Sequence, residues 1–487
     1  MNYKMIRYTL GLILLFESAF LVLPFIVGLI YSEWKEALCF LGVAALTAAL
    51  GFLMSFKKPQ STTLYSRDGL VIVSLGWIIM SLFGSLPFVL SGAIPSFLDA
   101  LFETVSGFTT TGASILPSVE AMAKSINIWR CFTHWVGGMG VLVFVMAILP
   151  LSGAQNMHIM RAESPGPSVS KLVPRVRKTA IILYIIYLVF TLVQFLLMLP
   201  EMSVYESLCT AFATAGTGGF GIYDDSLASF SPYVQIVVTV FLLIFSVNFN
   251  SYYLLLRRKF KDALSSEVRV FIFIVLSSVA LITLNVFLSG AVGAQSFGEA
   301  LKNGFFTVAS TISTAGFAVT DYDLWPTLSK TVIVILMLVG ACAGSTGGGF
   351  KVSRIVILFK GMRRQLSTSV RQNQVKKITI DKRPVEHEVV RAVNAYLVTY
   401  VFVFAISLLL LSFDNYSAGN FNPLVTNFTA VSSAINNVGP GLEAVGPTQN
   451  FAFFSPLSKI VLIFDMLAGR LELFPMLLLF SPSTWKK

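Results

Sequence analysis

Charge is scarce in this sequence: Asp, Glu, Lys and Arg together make up 12% of 487 residues, against 55% hydrophobic ones. With a mean hydropathy of +0.78, that shortage excludes an ordinary soluble globular chain, in which about 25% of residues are charged. Reactive side chains are few as well. The four cysteines, Cys39, Cys131, Cys209 and Cys342, lie in apolar segments with no pair at metal-ligand spacing, and the three histidines, His134, His158 and His387, are scattered. No metal cluster is expected from such a set, and the cysteines read as packing residues. A membrane-embedded enzyme needs clustered ionisable groups at membrane depth; only scattered charges are found here, so no enzyme is expected.

Long apolar runs are what the sequence has in abundance. Ten of them, at about 6–30, 37–56, 70–90, 129–151, 179–199, 233–255, 270–289, 331–358, 389–413 and 460–480, reach the length of about 20 residues needed to cross a bilayer. The first is preceded by Lys4 and Arg7, as in a signal peptide, but it is too long for one and lacks a small-residue cleavage site, so it reads as a retained helix. The net charge of +11 follows from membrane topology and needs no nucleic acid partner. Sorted along the chain, 27 of the 35 Lys and Arg fall on the side of the N-terminus, five fall opposite, and Arg130, Lys351 and Arg470 lie within the membrane layer. The positive-inside rule then puts both termini in the cytoplasm. The outer face is acidic, with Asp99, Glu103, Glu120, Glu206, Asp224, Asp321, Asp323 and Glu443 among its residues, and such charge raises the local concentration of cations.

After two N-terminal helices (residues 1–60) a unit of apolar helix, half-helix, glycine-bearing turn and apolar helix recurs four times, over 61–170, 171–262, 263–380 and 381–487. The half-helices, 96–108, 204–215, 297–313 and 424–436, are too short to cross and must enter and leave on the outer face. Each runs into a similar turn: Thr109-Thr110-Thr111-Gly112, Gly216-Thr217-Gly218-Gly219, Ser313-Thr314-Ala315-Gly316 and Asn436-Asn437-Val438-Gly439. One such turn is compatible with simple helix packing. Four at the same place in four successive units point instead to loops gathered on one axis, since non-helical backbone at membrane depth survives only where protein or a water-filled cavity borders it. Glycine permits the backbone angles that turn carbonyl oxygens toward that axis, where a ring of them replaces the hydration shell of a monovalent cation. Inverted-repeat transporters have units of alternating orientation, whereas these four all start on the inside. The expected fold is therefore an all-α polytopic membrane protein, four helix–pore-loop–helix repeats in pseudo-fourfold symmetry around a central pore, plus two N-terminal transmembrane helices.

Residues 103–113 (ETVSGFTTTGA), 129–140 (WRCFTHWVGGMG), 344–351 (GSTGGGFK) and 468–472 (AGRLE) closely resemble the TrkH-type membrane subunits of bacterial Trk K⁺ uptake systems, within the Trk/Ktr/HKT superfamily. The resemblance covers essentially the whole chain. It implies K⁺ as the transported ion, no cofactor bound by the chain itself, a homodimer in the cytoplasmic membrane, and gating by a cytosolic TrkA-type subunit that binds NAD(H) or ATP/ADP. The filter residues it implies are Thr110, Thr111, Gly112, Thr217, Gly218, Gly219, Thr314, Ala315, Gly316, Asn437, Val438 and Gly439. Because only one glycine per unit is shared, selectivity for K⁺ over Na⁺ is expected to be less stringent than in tetrameric K⁺ channels. A Na⁺-coupled Ktr-type system is the alternative within the superfamily; the two extra N-terminal helices and the Thr-rich first turn favour the TrkH side.

Between residues 340 and 349 stand five glycines, too many for a regular helix, so the eighth apolar stretch is expected to break there. In the related family this interruption is an intramembrane loop beneath the filter, which makes Gly344, Ser345, Thr346, Gly347, Gly348, Gly349 and Lys351 gate candidates, with a static kink as the plainer reading. Lys351 is expected either to hold the loop by bonding to carbonyls or to snorkel to the interface. Arg470, near the middle of the last apolar stretch, is expected to face a cavity or a partner: either a salt bridge with Asp465 or Glu472, or a positive charge below the filter. Arg130 and His134 are expected to anchor the first pore loop, and Glu17 to be paired internally. The basic segment 354–391, with ten Lys and Arg, suits anionic lipid or a cytosolic partner.

Overall fold

The computed structural model describes residues 1–61, 64–140, 176–293, 295–370, 377–381, 383–414 and 421–485. The second half of the fourth apolar stretch, His158 and part of the basic segment lie outside them. Among the described residues the chain is helical, with one short antiparallel hairpin pairing Thr379–Ile380 with Arg383–Pro384.

Among the described residues six helical segments are long and apolar enough to cross a membrane: Tyr3–Ile30, Trp34–Ser55, Arg67–Ser91, Ala180–Met198, Ser266–Ser289 and His387–Leu411. The first two are the N-terminal pair, brought close by Gly11 and Gly51; a Cβ on either glycine would stand 2.7–2.8 Å from the other's carbonyl oxygen. Small residues permit such approach between helices in lipid. The other four are the first helices of the four units.

Of the remaining four apolar stretches, the sixth and the tenth correct the expectation of a single break in the eighth, and the fourth is described only as far as Gly140. The four supply the second helix of each unit, Lys124–Gly138, Pro232–Ser246, Thr327–Val339 and Pro456–Arg470, and none of these is long enough to cross. The sixth stretch bends by 90° before Phe249–Leu256. The eighth leaves the helix at Gly340 (φ 69°) and resumes at Val352. The tenth stops at Arg470, and the left-handed residues Glu472 (φ 60°) and Leu473 (φ 64°) precede Phe474–Leu479. Broken helices leave carbonyls without intrahelical partners, which a buried site tolerates only if something else donates to them. Here the Phe245 and Ser246 carbonyls accept the Thr346 and Cys342 N–H groups, and those of Gly137 and Gly138 accept from Arg470.

The half-helices are Phe97–Phe108, Val204–Ala215, Phe297–Ile312 and Pro423–Asn436. At about 1.5 Å per residue each falls short of a bilayer of about 30 Å. Three start with the same device: the side chains of Ser96, Ser203 and Ser296 accept the N–H of Asp99, Glu206 and Glu299, and Asn422 caps the fourth. In those three the first-turn carboxylates of Asp99, Glu206 and Glu299 face the positive end of the helix dipole, and the fourth has no acidic residue there, so the capped ends are fixed and the carbonyl ends lead into the turns. One smaller expectation is corrected: Glu17 is fully buried, and among the described residues neither carboxylate oxygen has a hydrogen-bond partner. Its Oε1 lies beside Gly84, against which the Thr104 methyl and the Phe108 ring also pack, and the Trp129 indole donates to the Gly84 carbonyl.

Candidate functional site

All four half-helices end in one backbone motif. In the first, Thr110 N–H donates to the Gly107 carbonyl at 3.1 Å and Thr111 N–H to that of Ser106 at 2.9 Å. The same pair of bonds recurs from Thr217 and Gly218, from Thr314 and Ala315, and from Asn437 and Val438. This is a Schellman end, which requires a left-handed residue just past the helix. That residue is Thr110, Thr217, Thr314 or Asn437, with φ of 56°, 55°, 60° and 55°. Two residues on, Gly112, Gly219, Gly316 and Gly439 are left-handed again, at 82°, 82°, 76° and 102°.

The glycines also close the loops into a circuit. A Cβ on Gly112 would overlap the carbonyl oxygen of Gly218 in the second loop, one on Gly219 that of Ala315, one on Gly316 that of Val438, and one on Gly439 would stand 2.7 Å from that of Thr111. Loop one thus touches loop two, two touches three, three touches four, and four returns to one. Each contact joins a shared glycine to the carbonyl of the residue before the next glycine. Four chemically unlike turns therefore form one ring around a common axis.

Beneath the ring lies the segment 340–351. Gly348 N–H donates to the Thr314 hydroxyl at 2.6 Å, the Thr217 and Thr346 hydroxyls lie 3.4 Å apart, and Gly349 N–H donates to the Asn436 carbonyl at 2.9 Å. The segment is thereby tied to loops two, three and four. Lys351 is buried and donates to the Gly347 carbonyl, so it holds the loop and does not snorkel. Arg470 supplies the connection to unit one. It is the last residue of its helix, not a mid-helix residue, and donates to the carbonyls of Thr346 (2.8 Å), Gly137 (2.6 Å) and Gly138 (2.9 Å). Of its two suggested acidic partners, Glu472 pairs with Arg354 and Asp465 accepts from Ser407.

A model of the TrkH family, described as a cation transport protein, matches residues 39–487. The chain belongs to the TrkH family. It is 34% identical over 497 residues to the Trk system potassium uptake protein TrkH of Salmonella typhimurium, with both chains covered in full. To the Trk system potassium uptake protein TrkG of Escherichia coli it is 28% identical, over 99% of each chain. The crystal structure of the potassium transporter TrkH from Vibrio parahaemolyticus superposes with a TM-score of 0.88 at 31% identity, covering all of both chains.

One feature of this TrkH-family site is not legible in the motifs. Glu267, in the first turn of Ser266–Ser289, accepts Ala343 N–H at 2.6 Å and Ser353 N–H at 3.1 Å, bracketing the glycine-rich segment from both ends. Nothing in its spacing marks it. Behind loop one, buried Glu103 accepts from Arg130 at 2.8 Å, from the Ser114 hydroxyl and from Ile115 N–H. Arg130 also donates to the Asn127 side chain and lies 4.2 Å from the Phe220 ring centre. His134 bonds to the Gly107 carbonyl at 2.7 Å. Both residues meet the first pore loop, and both also reach the second through Phe220.

Proposed function

We propose that the chain is the ion-conducting membrane subunit of a K⁺ uptake system. The closed circuit of glycine-to-carbonyl contacts carries this reading. Such a ring offers a dehydrated monovalent cation its oxygen ligands, and the carbonyl ends of four half-helices add negative potential at the same place. The relatives' printed names, potassium uptake proteins, support K⁺ as the ion. In this account the carbonyls of Thr111, Gly218, Ala315 and Val438 line the filter. Thr110, Thr217, Thr314 and Asn437, with Gly112, Gly219, Gly316 and Gly439, fix their direction.

The segment from Gly344 to Lys351 and Arg470 form the gate. Hydrogen bonds to three filter loops hold the segment across the pathway, and the guanidinium below raises the barrier to a cation. The helix Val352–Val370 leaves the gate directly and carries exposed Arg363 and half-buried Arg364. A cytosolic TrkA-type subunit binding NAD(H) or ATP/ADP acts on this helix and, through Lys351, on the gate. The working form is a homodimer in the bacterial cytoplasmic membrane with both termini inside. Flux of K⁺, Rb⁺ and Na⁺ into liposomes holding the purified protein, with and without an imposed Na⁺ or H⁺ gradient, tests the reading. K⁺ and Rb⁺ are expected to pass faster than Na⁺; failure to pass any monovalent cation with the partner present overturns it.

A further inference from the structure

We infer that His134 is a positioning residue for the filter, which sets the second pore loop against the first and so tunes the discrimination between K⁺ and Na⁺. The inference rests on the reading of the ring as a K⁺ filter. His134 is the eleventh residue of Lys124–Gly138 and is fully buried. Its two ring nitrogens contact two different pore loops: Nδ1 lies 2.7 Å from the Gly107 carbonyl of the first, and Nε2 lies 3.2 Å from Phe220 N–H of the second. A carbonyl only accepts and a main-chain N–H only donates, which assigns the proton to Nδ1 and leaves Nε2 as the acceptor. One neutral imidazole therefore bridges the two loops.

The second loop is moulded on that ring. A Cβ on Gly218 would overlap the imidazole itself, and one on Gly216 would overlap the His134 carbonyl. The Phe220 ring lies on the imidazole with centroids 4.2 Å apart. Gly218, whose carbonyl meets Gly112 across the ring, thus rests on His134, and Phe220, held by Nε2, comes directly after Gly219. The eleventh residue of the other three second helices is Leu242, Met337 and Met466, each fully buried. Packing alone at this depth is met by an apolar side chain in three units out of four; the polar bridge belongs to the boundary between loops one and two.

Three substitutions separate this role from packing. His134→Asn keeps a donor where Nδ1 was and removes the acceptor for Phe220 N–H. His134→Gln reaches the Nε2 position with an acceptor and gives up the bond to Gly107. His134→Met, the residue at the matching position in two other units, has neither. The measurement is the Na⁺/K⁺ permeability ratio in liposomes, which the amount of folded protein does not change. In His134→Asn and His134→Met the ratio is expected to rise about fivefold, the worth of one buried hydrogen bond, while His134→Gln stays nearer the unsubstituted protein. If the Asn protein is not recovered, the Met and Gln pair decides. An unchanged ratio in Asn and Met, or the same rise in all three, overturns the inference. Absence of conduction in the unsubstituted protein would instead overturn the filter reading beneath it.

Discussion

The second helix of unit one and the second helix of unit three occupy equivalent places, each between two neighbouring pore loops, and do opposite things. In unit one the helix from Lys124 to Gly138 stays regular behind the filter and presents Arg130, Thr133, His134 and Gly137 to it. A Cβ on Gly137 would overlap the Phe108 carbonyl and one on Gly107 the Thr133 hydroxyl, so this boundary is closely packed as well as bonded. In unit three the helix is abandoned at Gly340, and the chain crosses beneath the ring as a glycine-rich segment held by single hydrogen bonds and two charged groups, buried Lys351 and half-buried Glu267. On the proposed reading of the pathway, the helix of unit one is its fixed wall and the segment of unit three its movable one. Substitutions at the first boundary are expected to cost stability, and those at the third to change flux.

The largest effect is expected at Arg130. Arg130→Met leaves the Glu103 carboxylate buried without its cation, a loss on the order of 3–5 kcal/mol. Thermal unfolding in detergent is expected to show a clear drop, with no gain of flux per folded molecule; raised flux at unchanged stability would break the comparison. Arg470→Ala removes three charge-assisted bonds that tie the gate to unit one, and K⁺ flux without the cytosolic partner is expected to rise at least about tenfold. Unchanged or reduced flux at normal expression would contradict this. Thr314→Val keeps the shape and deletes the acceptor of Gly348 N–H; flux is expected to rise about fivefold, with Thr314→Ser close to the unsubstituted protein. Glu267→Gln keeps an acceptor oxygen beside Ala343 and Ser353 and removes only the charge, so a rise of about twofold is expected. Each is read in the same liposome assay against the same thermal curve.

Much of this was legible in the chain. The four half-helices fall within one residue of the limits read from sequence, because a Ser or Asn cap marks each start and a glycine-bearing turn marks each end. The break after Val339 was legible too, since glycine leaves a local signature. The breaks after Ser246 and Arg470 were not: hydropathy records that a stretch is apolar and cannot report that its last carbonyls are spent on Thr346 or Cys342, about 100 residues away in sequence. Glycine drew the conformational argument, yet the first left-handed residue of every turn is Thr or Asn, held there by its Schellman bonds. The connection from Arg470 to Gly137 and Gly138 crosses more than 330 positions, and charge spacing suggested nearer acidic partners that are engaged elsewhere.

The central claim, that four unlike loops make one cation-binding ring, is tested most directly by anomalous diffraction from crystals of this protein grown in Rb⁺. The account predicts an anomalous peak on the axis, ligated by the carbonyl oxygens of Thr111, Gly218, Ala315 and Val438. Peaks confined to other places, with nothing inside that ring, would contradict it.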